Sequence, residues 1–67
     1  MYSLLYIEQG RVIGRRYPTH EIAIAKADRI AHGAKASYRV EPDGEGGYVF
    51  FDRDAGNVTG SIDVWEE

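Results

Sequence analysis

Few side chains in this sequence could carry out chemistry. There is no cysteine, so a thiol nucleophile, a thiolate metal site and a disulfide are all excluded. The two histidines, His20 and His32, are twelve residues apart at opposite ends of a predicted helix, so one metal ion would need other ligands to hold both. Ser3, Ser37 and Ser61 lie in no glycine-rich nucleophile turn and have no base nearby in sequence. We predict a protein that is not an enzyme and that uses no metal and no cofactor.

Two acidic loops resemble ligand-binding loops but lack their chemistry. Residues 52–57 begin like a calcium loop, yet Gly56 stands where an oxygen ligand belongs and Asp63 replaces the final bidentate glutamate. Residues 43–47 are rich in glycine, but they open no helix and carry two acids. We therefore predict a hairpin turn at the first loop and no phosphate site at the second.

A β-hairpin should open the chain. Residues 2–8 and 11–17 are rich in β-branched and aromatic residues, which favours two strands. Gln9 and Gly10 stand between them, and glycine tolerates the positive φ that a two-residue turn requires. Such a turn pairs the residues that flank it, so the hairpin register is predicted as well.

A helix should follow from about His20 to His32. Pro18 ends the second strand, Thr19 is a suitable N-cap and Gly33 is a natural C-terminal stop. The apolar stripe of this helix is mostly alanine, which would let the helix lie close on a sheet. Its members are Ala23, Ala27, Ile30 and Ala31, with Ile24 at the margin.

Three further strands are predicted over residues 36–41, 47–52 and 58–65, with glycine-containing turns between them. The last two strands admit two registers. A four-residue loop would place Val49 and Phe51 on the same face as Ile62, whereas a three-residue loop with a bulge would exchange the two faces. We prefer the first register because it gathers the β-branched residues together.

These elements predict one α+β domain over residues 1–67. Along the chain the order is ββαβββ, with an antiparallel sheet of about five strands and one helix packed on one face. A chain of this length buries only about 60% of its unfolded surface, so the core must be small. The predicted core is Leu5, Ile7, Val12, Ala23, Ala27, Ile30, Tyr38, Val40, Val49, Phe51, Ile62 and Val64.

The charge is distributed unevenly along the chain. Residues 1–33 carry five basic and three acidic side chains, whereas residues 34–67 carry three basic and eight acidic ones, and the net charge is −3. An acidic half suits a basic partner surface and repels nucleic-acid phosphates. No apolar run approaches the ~20 residues of a membrane helix, and no signal peptide is evident, so we expect a cytoplasmic protein.

One helix covers only one face of a sheet, so the other face should be free to bind. The predicted binding residues are hydrophobic anchors, arginines for polar contacts, and aspartates that meet basic partner residues. In that order they are Tyr6, Tyr48, Phe50 and Trp65, then Arg15 and Arg39, then Asp52, Asp54 and Asp63.

The element order and the alanine-rich stretch of residues 23–31 resemble a known group, the small phage anti-CRISPR proteins. The resemblance covers the architecture and this one helix, and it carries over no binding residue. It implies a non-enzymatic inhibitor that occludes a nucleic-acid-binding surface of a CRISPR–Cas effector subunit. A phage-encoded protein of this kind would act in the cytoplasm of the host cell.

Two alternatives of other classes remain. A sheet with exposed aromatic rings can stack nucleic-acid bases, with Arg11, Arg15, Arg16 and Arg39 meeting phosphates, although the acidic balance argues against this. A homodimeric accessory protein could instead bury the aromatic face of each copy against the other. Light scattering and an oligonucleotide-binding assay separate these from the inhibitor.

Overall fold

A computed structural model describes all 67 residues. It contains five strands and one helix, which confirms an α+β domain. In chain order the elements are β1 (Tyr2–Glu8), β2 (Arg11–Tyr17), α1 (His20–Ala34), β3 (Arg39–Pro42), β4 (Tyr48–Phe51) and β5 (Val58–Glu66).

The five strands form one antiparallel sheet in the order β2-β1-β5-β4-β3. The hairpin register is the predicted one, with Glu8 opposite Arg11 and Ile7 opposite Val12. Both turn residues have positive φ, 48° at Gln9 and 82° at Gly10, which is the geometry of a type I′ turn. Because β5 returns beside β1, the first and last strands lie at the middle of the sheet.

The helix begins where the sequence predicts and ends two residues later. The Thr19 hydroxyl accepts the N–H of Ile22 at 3.2 Å and so caps the first turn. Gly33 keeps a helical conformation instead of ending the helix, and the last turn closes on a hydrogen bond from Lys35 N to Ala31 O. With 15 residues, α1 lacks the length and apolar character that a membrane-crossing helix needs.

The third strand is shorter than predicted. The chain stays in turns after α1, with the N–H groups of Ser37 and Tyr38 both bonded to Ala34 O, and β3 begins only at Arg39. These bonds add one further turn of chain after the helix. They therefore consume backbone groups that a longer strand would have used for pairing.

For β1, β2 and β4 the helix covers the side opposite to the one we predicted, whereas β3 and β5 face as predicted. Ala23, Ala27, Tyr38 and Ile62 are buried as expected. Leu4 and Phe50 fill the remaining core, while five predicted core residues lie on the uncovered side of the sheet. Those five are Leu5, Ile7, Val12, Val49 and Phe51. Because the helix contributes methyl groups, the space between helix and sheet is filled by large sheet side chains.

The faces of β4 are those of the bulged alternative, although the predicted three-residue loop does not form, since residues 52–57 separate β4 from β5 and the bulge lies within the strands. Tyr48 lies opposite Ile62 and Val49 opposite Ser61, and the ladder shifts between Phe50 and Phe51. Gly60 makes this possible, since a Cβ there would collide with the carbonyl of Ile7 on the neighbouring strand. The bulge moves Phe50 to the helix side.

Candidate functional site

The sheet presents one face that no other element covers, and we call it the open face. Its side chains alternate with those that meet α1. They are Ser3, Leu5 and Ile7 of β1, Val12, Gly14 and Arg16 of β2, Arg39 and Glu41 of β3, Val49 and Phe51 of β4, and Val58, Ser61, Asp63 and Trp65 of β5. An antiparallel sheet with one solvated face usually alternates apolar and polar residues. The open face of this sheet is not polar in that way, because seven of its side chains are apolar.

The apolar side chains of the open face are accessible. Val12 is 63% exposed and Trp65 is 47% exposed, whereas Leu5, Ile7, Val49 and Phe51 are half-buried against their neighbours in the sheet. Val12, Ile7, Ser61 and Val49 stand in one row across four strands. A contiguous row of this kind is typical of a contact surface.

A shallow depression of about 480 Å³ interrupts the open face beside Trp65. It exists because Gly14 has no side chain, and its walls include Leu5, Arg16 and Trp65. A Cβ built at Gly14 would meet no atom within 4 Å. The depression has an apolar floor and is wide enough to receive a side chain from a partner.

Three of the four charged side chains on the open face are paired within the chain. Arg16 Nε lies 3.0 Å from Glu67 Oε2. Arg39 pairs with Glu41, and its guanidinium lies 4.4 Å from the centre of the Phe51 ring. Asp63 has no ion-pair partner. It is exposed on the central strand of the sheet, so the one unpaired charge of this face is negative.

Three predicted anchors lie beneath the helix instead of on the open face. Phe50 is fully buried, and Tyr6 meets it edge-on with ring centroids 6.0 Å apart. Tyr48 packs against the same core. Tyr2 and Tyr17 pair with each other on the helix side. Of the four predicted anchors, only Trp65 lies on the open face.

The hydroxyl groups of two half-buried tyrosines, Tyr6 and Tyr48, bond to acids at the rim of the core. Tyr6 donates to Glu8 Oε1 at 2.9 Å, and burial, followed by this hydrogen bond, raises the pKa of Tyr6 to about 12. Tyr48 donates to Asp28 Oδ1 on α1 at 3.2 Å, and burial followed by that bond raises its pKa as well. These hydroxyls hold rings in place, so they are not free to bind a partner.

The remaining predicted site residues are distributed around the sheet. Arg15 is on the helix side at the β2 edge, where its Nη1 donates to Gly14 O at 2.9 Å. Asp52 supports the β4–β5 turn, because its Oδ1 accepts the N–H groups of Asp54 and Ala55 at 2.8 and 2.7 Å. These two bonds hold the pKa of Asp52 below its usual value. Asp54 is exposed in the same turn.

No three acids or histidines gather where they could hold a metal ion. His20 stands beside the Tyr2 ring with ring centroids 5.1 Å apart, and His32 is exposed near the other end of α1. No known protein family, curated protein or solved structure matches this chain.

Proposed function

We propose that this protein is a non-enzymatic binding module that docks on another protein through its open face and blocks the surface it covers. The observation that carries the proposal is the apolar character of a sheet face that nothing in the chain covers. Trp65 and Phe51 are the anchors, and the depression beside Trp65 receives a partner side chain. Phe51, whose ring lies on the open face, takes the place of the predicted anchors Tyr6, Tyr48 and Phe50, which pack on the helix side.

The charge of the open face favours a basic partner. Its two arginines are already paired with Glu67 and Glu41, whereas Asp63 is unpaired among apolar neighbours. A lysine or arginine from the partner would satisfy that carboxylate as the surfaces close. The net charge of −3 draws the protein towards the same kind of surface.

A second copy of the chain fits this face poorly. In a symmetric dimer the same patch of both copies meets across a two-fold axis, and a residue on the axis meets its own counterpart. Asp63 lies on β5, the third of five strands, so an axis through the middle of the face would bring two like carboxylates together. Nucleic acid is disfavoured for the same reason, since phosphates would approach an unpaired carboxylate.

The resemblance to small phage anti-CRISPR proteins directs the first assay. A Cas effector subunit holds nucleic acid in a basic groove, and an acidic module that occupied the groove would stop target binding. The proposed activity is therefore inhibition of a CRISPR–Cas effector complex by occlusion.

The test mixes the protein with candidate effector complexes and measures co-elution on a sizing column together with target-DNA binding. We expect co-elution, loss of DNA binding, and loss of both effects with Trp65→Ala. Ile22→Ala is the matched control, because Ile22 is a large apolar side chain exposed on α1, away from the open face. Absence of co-elution with every effector ends the anti-CRISPR proposal. If Trp65→Ala and Ile22→Ala change co-elution and DNA binding equally, the open face is not the binding surface.

A further inference from the structure

We infer that the outer edge of β2 accepts an acidic extended segment of another protein as a sixth strand of the sheet. This inference concerns the edge of the sheet and goes beyond docking on the open face. The two surfaces can be tested with different variants.

The outer edge of β2 has a row of backbone groups that no other strand pairs. β2 ends the sheet, and all seven of its residues pair with β1 without a register shift. In a two-residue hairpin the residues flanking the turn exchange hydrogen bonds, and bonded residues alternate along the strand. The N–H and C=O groups of Val12, Gly14 and Arg16 therefore point away from β1. Arg15 reaches the Gly14 carbonyl with its side chain, as an outward carbonyl allows.

The other edge of the sheet is protected and β2 is not. β3 has only four residues and ends at Pro42, which has no N–H to donate. β2 is longer, contains no proline and has no bulge. A strand of this kind is where a partner segment adds to a sheet.

The charges of β2 select the segment that can add. β2 contains three arginines and no acid, and two of them, Arg11 and Arg15, have no acidic atom within 4.0 Å. A second copy of β2 would bring arginines to the same edge, where like charges in facing positions are destabilising. An acidic segment gains opposite-charge pairs instead. The arginines therefore exclude self-association at this edge and favour an acidic partner.

The register of β2 gives the sequence of the segment. Arg11, Ile13 and Arg15 point to the helix side, whereas Val12 and Gly14 point to the open face. An antiparallel strand would place acids opposite the two arginines and an apolar residue opposite Ile13. Opposite Gly14 there is room for an aromatic ring, since a Cβ there meets nothing within 4 Å. From its N-terminus the preferred core is Glu-Tyr-Val-Val-Glu.

The first experiment titrates isotope-labelled protein with a capped peptide containing this core and follows backbone amides by NMR. We expect slowed hydrogen exchange at the amides of Val12, Gly14 and Arg16, and little change in β3. A peptide with lysine in place of both glutamates should bind at least about fivefold more weakly, since it replaces two opposite-charge pairs with two like-charge pairs. Equal binding of both peptides, or no binding of either, overturns the inference.

Two pairs of variants assign the binding to this edge. Arg15→Glu should weaken the acidic peptide by at least about fivefold, whereas Arg29→Glu makes the same charge change on the exposed side of α1 and should have little effect. Gly14→Pro removes an outward N–H and should abolish binding, whereas Gly14→Ala keeps that N–H and should not. If Arg15→Glu and Arg29→Glu weaken peptide binding equally, the inference is overturned. This comparison stands even if Gly14→Pro fails to fold. Phe51→Ala, an open-face variant on β4 and three strands away from β2, should leave peptide binding unchanged.

Discussion

The Tyr38 ring lies parallel to the Phe50 ring, with an interplanar angle of 1° and centroids 5.8 Å apart. Phe50 is completely buried, and Tyr38 is 8% exposed. Both rings belong to the cluster that packs beneath Ala27 and Ala31. The stack fills the space that the two small helix residues leave, and it accounts for much of a small core.

Phe50→Ala should destabilise the protein severely. Truncating a buried phenylalanine costs about 3–5 kcal/mol, and a domain of this length has a total stability of roughly 3–10 kcal/mol. Chemical denaturation monitored by circular dichroism measures the loss. Phe51→Ala is the control, because Phe51 is half-buried on the open face and should cost clearly less. If Phe51→Ala is the more harmful change, the helix covers the other face.

The position of Phe50 shows where sequence reasoning succeeded and where it failed. The hairpin register followed from the Gln9-Gly10 turn, because turn geometry fixes the pairing of the flanking residues. The start of α1 followed from Thr19, which caps it. The covered face did not follow, because β1 is apolar on both sides and alternation alone does not say which side is inside.

The small side chains of α1 indicate which face of the sheet it covers. A stripe of alanines leaves space that only large side chains fill, so rings such as Tyr6 and Phe50 belong opposite Ala27. We had instead predicted Tyr6, Tyr48 and Phe50 on the uncovered face, which was wrong. The β4–β5 bulge was left open as an alternative, and Gly60 was its sequence signal, since only glycine fits against the Ile7 carbonyl.

Ala27→Leu should destabilise the protein by about 1–3 kcal/mol, the usual cost of inserting methylene groups into a packed core. Ala27 has no exposed surface and lies against the sheet rings. Ala25→Leu is the matched control, since Ala25 is exposed on the same helix. Thermal denaturation of both variants checks the prediction, and equal melting temperatures would contradict close packing at Ala27.

Stability should fall at alkaline pH partly because of Tyr6. Burial and the bond to Glu8 raise its pKa from 10.0 to about 12 in the folded protein. The folded state then holds this proton more tightly than the unfolded state does, so the contribution is complete below pH 10 and is lost as pH rises towards 12. Denaturant unfolding between pH 9 and 11.5 measures the slope. Tyr6→Phe should reduce the slope, and an unchanged slope would contradict the assignment.

The loss of unfolding free energy at acidic pH should depend partly on Asp52. Hydrogen bonds from Ala55 N and Asp54 N hold its pKa below the usual value, so the folded state releases this proton more readily than the unfolded state. The stabilisation is present above the ordinary aspartate pKa and is lost as pH falls through the lower folded value. Asp52→Asn should flatten the dependence of unfolding free energy on pH below about 4. Asp54→Asn is the control, because its carboxylate supports no turn bond, and it should leave the slope close to that of the original protein.

Gly14→Leu should separate binding from folding on the open face. The added side chain enters the depression beside Trp65, where a Cβ at this position meets no atom within 4 Å. Leucine also replaces a glycine within a strand, which removes backbone freedom from the unfolded chain, so the melting temperature should stay the same or rise. Binding of a partner that inserts a side chain there should weaken by roughly 1–3 kcal/mol, a typical cost of blocking a packed contact. Gly14→Ala fills little of the space and serves as the control. A Gly14→Leu protein that binds its partner as tightly as Gly14→Ala would show that the depression receives nothing, and the docking surface would then have to lie towards Phe51 and Val49.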